Sequence, residues 1–195
     1  MGDALEKVLV TEEQIEARLK ELERYREKPV IVACATGNRS GSAAAMLRKH
    51  GFPGAVLKGA VMVMADLARE LSHTAEMDWM AVSSYGAGTT SSGVVRILKD
   101  LEADISGRNV LIVEDVIDSG LTLSWLVGNL RSRGPASVEV CTMVRKPLAF
   151  DVDLDVKYIG FDLPNEFIVG YGLDYAEKYR NLPFIGTLAP HVYER

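Results

Sequence analysis

Cysteine is scarce in this sequence. The 195 residues hold two, Cys34 and Cys141, too few for a disulfide framework and in keeping with a cytoplasmic setting. Histidine is as sparse. His50, His73 and His191 are scattered, and neither HExxH nor a paired CxxC spacing occurs, so no dedicated zinc site is expected. No apolar run approaches the roughly 20 residues that span a bilayer, and Met1, Gly2, Asp3 and Ala4 carry no signal-peptide pattern; no membrane partner is expected. Positive charge is not in excess either. A net charge of −5 argues against a nucleic-acid partner, because a phosphate backbone selects basic surfaces. It leaves room for a small anion held by a few local donors. What the chain has in quantity is apolar residues, 48%, enough for one sizeable core. No repeat or low-complexity linker divides it, so residues 1–195 are read as a single α/β domain.

Thr11 and Gln14 have capping-box spacing, and Ile15, Leu19 and Leu22 follow on one helical face. That helix should end before Pro29. Residues 30–33 form an apolar run of the kind that becomes a buried parallel strand. A Gly/Ser turn and a helix from about Ser40 follow, stopped by Arg48, Lys49, His50 and Gly51. Residues 55–57 are a second short run, 61–71 helical, 77–82 and 94–98 strand-like, and 85–93 a polar loop. Three clean elements come next: a buried strand at 110–113, a helix at 122–133 with Leu123, Leu126, Val127 and Leu130 inward, and a strand at 138–144. A further strand is expected at 156–161. Strands alternating with helices predict a mainly parallel sheet covered on both faces.

The most informative stretch begins at the strand 110–113. It delivers Glu114 and Asp115 at its C-terminal end, and a turn with Asp118, Ser119 and Gly120 then opens a helix at Leu121 and Thr122. Ligands bind outside strand C-termini in such sheets, and free amides at a helix start favour phosphate. Gly120 permits close approach, and the Ser119 and Thr122 hydroxyls add donors. Two carboxylates there suit ribose hydroxyls and a divalent cation. The blander reading makes Asp118 a helix cap. Two further acids on a buried strand weigh against it, since burying them costs desolvation without structural return.

At these residues the sequence resembles the type I phosphoribosyltransferase family. The resemblance implies that Glu114 and Asp115 hold the ribose hydroxyls. It implies that Asp118, Ser119, Gly120, Leu121 and Thr122 cradle the 5′-phosphate, and that Asp118 takes the purine N7 proton. Downstream, Lys146 offers a cation beyond a strand end, Phe167 an aromatic for stacking, and Asp174 and Arg180 a nearby acid and base. Each has an ordinary structural reading alone. Together they resemble hypoxanthine–guanine phosphoribosyltransferases, bacterial ones especially. That resemblance, nearly continuous from Val56 to Tyr193 and also taking in the helix from Thr11, implies Lys146 on the purine 6-oxo group, Phe167 stacked on the ring and Ile168 at the base edge. It implies Mg2+ at Asp174, Glu114 and Asp115, and pyrophosphate at Leu57, Lys58, Gly59 and Arg180. Ser84 and Tyr85 would open a mobile lid, a small hood would complete the fold, and the protein would be a homo-dimer or tetramer. The implied reaction joins hypoxanthine or guanine to phosphoribosyl pyrophosphate, as in purine salvage.

Residues 28–59 depart from that family. Cys34 and Arg39 stand in a Cys-x4-Arg loop before a helix, which resembles the active-site loop of rhodanese-type sulfurtransferases. Amides, a helix dipole and Arg39 would all favour a Cys34 thiolate. The loop is one residue shorter than the Cys-x5-Arg of tyrosine phosphatases. The segment 28–56 is therefore read as a rhodanese-like βα unit, extra to or replacing a strand, within a chimera either designed or recombined. Three alternatives to a working phosphoribosyltransferase remain. One is sulfur transfer through Cys34, which equal thiosulfate–cyanide rates in wild type and Cys34→Ala would dispose of. Another is a folded scaffold that has lost activity, and the last an RNA-binding regulator, which the negative charge disfavours.

Overall fold

The computed structural model describes residues 5–22, 29–36, 59–72, 74–85, 94–149 and 152–193, with the backbone alone at 22, 29–36, 83–85 and 94. The expected helix after Ser40, the run at 55–57, Arg39, Leu57 and Lys58 lie outside these residues, as do residues 86–93 of the expected polar loop.

Six strands make the main sheet: β2 (Pro29–Thr36), β3 (Glu76–Tyr85), β4 (Val94–Lys99), β5 (Asn109–Ile117), β6 (Ser137–Arg145) and β7 (Tyr158–Asp162). Their order is β4-β3-β2-β5-β6-β7, parallel throughout except for β4, which returns antiparallel along β3 at one edge. Three more strands, β1 (Leu5–Val10), β8 (Ile168–Val169) and β9 (Ile185–Leu188), form a separate antiparallel sheet, the expected hood.

The helices cover both faces, as a parallel sheet requires. On one face α1 (Glu12–Leu22) and α2 (Ala60–Glu70) bring Ile15, Leu19, Val63, Met64 and Leu67 against Leu111, Val113, Cys141 and Met143. On the other, α3 (Leu121–Arg131) lays Leu123, Leu126, Val127 and Leu130 against Val110, Ile112 and Val140. A last short helix, α4 (Pro190–Tyr193), ends the described chain. The capping box is reciprocal: Thr11 N–H donates to Gln14 Oε1 at 2.9 Å, and Gln14 N–H to Thr11 Oγ1 at 3.4 Å. Burial pushes the Cys141 thiol up to about 12, as befits a small core residue.

The rhodanese-like strand is not an appendage. Strand β2 pairs with β3 on one side, Val30 with Glu76 through Thr36 with Val82, and with β5 on the other, Pro29 with Asn109 through Ala33 with Val113. A strand bonded on both edges leaves no room for another between β3 and β5, so β2 is the centre of the sheet at that point. The strand is also longer than the run 30–33 predicts. It takes in Cys34, paired with Met80, so Cys34 is a strand residue and not a loop residue.

One buried carboxylate is structural. Asp78, 6% exposed, accepts N–H bonds from Trp79 (2.7 Å), Glu102 (2.8 Å) and Ala103 (3.0 Å), with Lys99 Nζ 3.7 Å away. Burial alone would raise its pKa, but the amides of Ala103, Trp79 and Glu102 and the Lys99 charge outweigh it, and the carboxyl is held below its ordinary range. A depressed carboxyl contributes stability above its unfolded value near 4, and that contribution is lost as pH falls through the folded value. Asp78→Ala should cost about 2–3 kcal/mol at pH 7 by leaving three amides without an acceptor. Urea unfolding at pH 7 and pH 3 checks this: the gap between wild type and variant should narrow at the lower pH.

Candidate active site

The site grows from the C-terminal ends of β5, β6 and β7, which finish level. Ile117 pairs with Arg145, and Arg145 with Asp162. Arg145 secures that level by a two-pronged pair with Asp162, Nε to Oδ1 at 2.7 Å and Nη2 to Oδ2 at 2.9 Å. The guanidinium holds the Asp162 carboxyl below its ordinary range. Lys146, one residue beyond, donates its backbone N–H to Ile117 O at 3.1 Å. Its start is therefore tied beside Asp118, which follows Ile117. Neither Arg145 nor Asp162 stood out in the sequence, where each is an ordinary charge.

Strand β5 runs to Ile117, four residues past the predicted end, so Glu114 and Asp115 lie within the strand and not at its end. The pleat slips at these two acids. Leu111 and Val113 face α2, and strict alternation would send Ile117 to the same side; instead Val116 packs there and Ile117 packs with the α3 cluster. The departure from period two falls on Glu114 and Asp115. Glu114 is buried at 2% exposure.

Beyond β5, Asp118 and Ser119 are exposed, and Gly120 turns the chain with φ 78°. The left-handed turn is why glycine stands there. Ser124 N–H donates to Gly120 O at 2.8 Å, the first helical bond of α3, yet no side chain caps that helix. Asp118 is thus not the cap that its position allowed. The amides of Leu121 and Thr122 open onto the strand ends without a side-chain acceptor, a ready seat for a phosphate.

The second wall is the turn after β8. Gly172, φ 94°, packs so closely on Gly59 that a Cβ there would overlap the Gly59 carbonyl oxygen and lie 2.6 Å from its Cα. Gly59 in turn abuts the Asp115 carboxylate, where an added Cβ would lie 2.8 Å from Asp115 Cγ. Asp115 Oδ1 accepts from Val116 N–H at 2.8 Å. Arg180 Nη1 donates to Gly172 O at 2.7 Å, and its Nη2 meets Asp174 Oδ1 at 2.9 Å and Glu177 Oε2 at 3.3 Å. Asp174 Oδ2 accepts from Glu177 N–H at 2.9 Å. So Gly59, Asp115, Asp174 and Arg180 share one wall.

Other expectations change. Ser84 and Tyr85 pair with Val95 and Val94 in the antiparallel ladder, so they end β3 and do not begin a loop. Asp174, Glu114 and Asp115 do not gather as a metal cage; among the described residues no group of three His, Cys, Asp or Glu does. Asp174 meets Arg180 through Oδ1 and the Glu177 amide through Oδ2. Phe167 stacks on Tyr193 (centroids 5.4 Å, 23°) and meets Tyr175 edge-on at 5.6 Å, so a base could use only the face that Tyr193 leaves. Ile168, 6% exposed, pairs with Thr187.

Comparison with known proteins bears on this geometry. The phosphoribosyl transferase domain matches residues 55–176, and the rhodanese-like domain matches residues 5–66. The hypoxanthine-guanine phosphoribosyltransferase of Mycobacterium avium is 54% identical over 194 residues, covering 100% of this chain and 90% of the relative. That of Bacillus subtilis (strain 168) is 46% identical over 196 residues, covering 100% and 99%. A crystal structure of a hypoxanthine phosphoribosyltransferase from Staphylococcus aureus superposes with a TM-score of 0.83 at 39% identity, covering 100% of this chain and 96% of that one. With the domain match and the full-length relatives in agreement, the chain belongs to the phosphoribosyl transferase domain family.

Proposed function

We propose that this protein transfers the phosphoribosyl group from phosphoribosyl pyrophosphate to hypoxanthine or guanine, releasing pyrophosphate, in purine salvage. The observation that carries it is the left-handed turn at Gly120. It leaves the first amides of α3 uncapped beside Asp118 and Lys146. The relatives, hypoxanthine-guanine phosphoribosyltransferases, suggest the purine, and the level ends of β5 and β6 support it by bringing the Lys146 backbone beside Asp118.

Charge dictates the residues' work. The amides at Gly120, Leu121 and Thr122, with the Ser119 and Thr122 hydroxyls, bind the 5′-phosphate. Glu114 and Asp115 accept hydrogen bonds from ribose hydroxyls. Asp118 accepts the proton from purine N7 as N9 bonds to C1 of the ribose and pyrophosphate departs. Lys146 donates to a 6-oxo oxygen; adenine presents an amino donor there, and two donors repel. Phe167 and Ile168 bound the base. Arg180 carries positive charge to the wall that receives pyrophosphate, together with Gly59.

Magnesium fits as a diphosphate-borne ion. Mg2+ usually keeps several waters and takes one or two carboxylates alongside substrate phosphates, so the absence of a three-acid cage among the described residues is no obstacle. Asp174 and Asp115 are the acids on the relevant wall, and the ion would neutralise the leaving pyrophosphate. Assembly as a homo-oligomer and placement in the cytoplasm complete the reading. Among the described residues no helix is long and apolar enough to cross a membrane. The two family matches overlap at residues 55–66, which supports descent by recombination of two families.

The test is nucleotide formation from phosphoribosyl pyrophosphate and magnesium with hypoxanthine, guanine or adenine. Turnover should favour the 6-oxopurines over adenine by at least about 100-fold, because a donor facing a donor leaves both unpaired in a closed site. A folded protein without turnover, or equal use of adenine, would sink the assignment.

A further inference from the structure

Tyr171 has a backbone uncommon for an aromatic residue, φ 50°, and it takes no part in the reaction just described. Such a conformation persists only where its surroundings over-determine it. Here the turn is held at several points. Tyr171 N–H donates to Leu182 O at 2.8 Å, and Gly172 N–H to Arg180 O at 2.9 Å. Arg180 Nη1 returns a bond to Gly172 O at 2.7 Å. The remaining tie is long-range: Tyr171 OH donates to Asp66 Oδ2 at 2.6 Å, across 105 residues of sequence.

Asp66 stands on α2, the helix that starts just after Gly59. Seven residues separate Gly59 from Asp66, close to two helical turns, so both lie on one face of α2. That face meets the turn twice: Gly172 packs on Gly59, and Tyr171 is bonded to Asp66. Arg69, three residues on, pairs with Asp66 and steadies the acceptor. Tyr171 is 8% exposed. Burial first, then the Asp66 carboxylate, pushes its phenol above the ordinary range, so it stays a donor. Two attachments a couple of turns apart fix the tilt of the turn against the helix, where one would allow rotation.

We infer that Tyr171, acting through Asp66, is a positioning residue that sets the Asp174–Arg180 wall against the Gly59–Asp115 junction, and so governs binding of the diphosphate-bearing substrate rather than of the purine. The inference rests on the function proposed above. It concerns how the wall is held, and it needs no contact between Tyr171 and substrate.

The experiment compares Tyr171→Phe, Asp66→Asn and Asp66→Ala with wild type. Tyr171→Phe and Asp66→Ala should raise KM for phosphoribosyl pyrophosphate about fivefold to tenfold, the scale of one hydrogen bond. KM for hypoxanthine should stay within about twofold. Asp66→Asn keeps an oxygen acceptor for the phenol and should restore most of the wild-type KM. A structural role alone would not split the two substrates, nor separate Asn from Ala. A second readout needs no turnover. Met62 N–H donates to Gly59 O at 3.1 Å, so its amide exchange should quicken in Tyr171→Phe and not in Asp66→Asn. An active wild type with unchanged KM values in all three variants overturns this inference and leaves the function standing. An inactive wild type overturns the function, and unchanged Met62 exchange then overturns the positioning as well.

Discussion

Asp118→Asn should lower kcat/KM for hypoxanthine by about 10²–10⁴-fold, the span usual for loss of a general acid–base group, while leaving the unfolding midpoint unchanged. The second half of that expectation comes from the structure. Asp118 is exposed, sits between the end of β5 and the left-handed Gly120, and does not cap α3. Asparagine keeps the volume and removes only the capacity to take a proton, so the variant isolates the chemistry. KM for phosphoribosyl pyrophosphate should move little, since the phosphate is assigned to amides rather than to this carboxylate. A drop of less than about tenfold would remove Asp118 from its role. A drop accompanied by a lower midpoint would return it to the structural role that its position first suggested.

Gly172→Ala should cost about 3 kcal/mol and most of the activity. Two costs add there. The backbone at φ 94° disfavours any side chain, and the new Cβ would overlap the carbonyl of Gly59 and lie 2.6 Å from its Cα, backbone atoms that cannot swing aside. Relief would have to push Gly59 away from Asp115, opening the wall that carries Arg180. Gly107→Ala separates the two costs: its φ is 69°, yet nothing lies within 4 Å of the added atom. That variant should cost about 1 kcal/mol and leave activity intact. Gly128→Ala, inside α3 with open space around it, should stabilise by about 0.5–1 kcal/mol. Denaturant midpoints and hypoxanthine turnover for the three variants test the scheme. If Gly172→Ala costs no more than Gly107→Ala, the close approach is not what holds the wall.

The core and the turn at Gly120 were legible in the chain because their signals are local. Leu123, Leu126, Val127 and Leu130 repeat at helical spacing, and all four are buried. The apolar run 110–113 could only be a covered strand, and Asp118, Ser119 and Gly120 carry turn chemistry that needs no distant partner. Strand ends were less legible. The ladder with β6 carries β5 on through Glu114, Asp115, Val116 and Ile117, because hydrogen bonds to a neighbour outweigh two acids of poor strand propensity. Pairing with β3 likewise draws Cys34 into β2, and pairing with β4 draws Ser84 and Tyr85 into β3. Propensity read along one strand cannot register a partner that arrives from elsewhere.

By itself, then, the sequence determined the type of the main elements, helices and strands from periodicity and a turn from Gly120, and the family to which the chain belongs. The tertiary structure alone decided who meets whom. It set the rhodanese-like strand at the middle of the sheet, bonded to β3 and β5. It brought Gly172 onto Gly59 and Gly59 onto Asp115, and tied Tyr171 to Asp66 across 105 residues. The reason is physical: local conformation depends on neighbours in the chain, whereas close approach of two backbones depends on the packing of every layer between them.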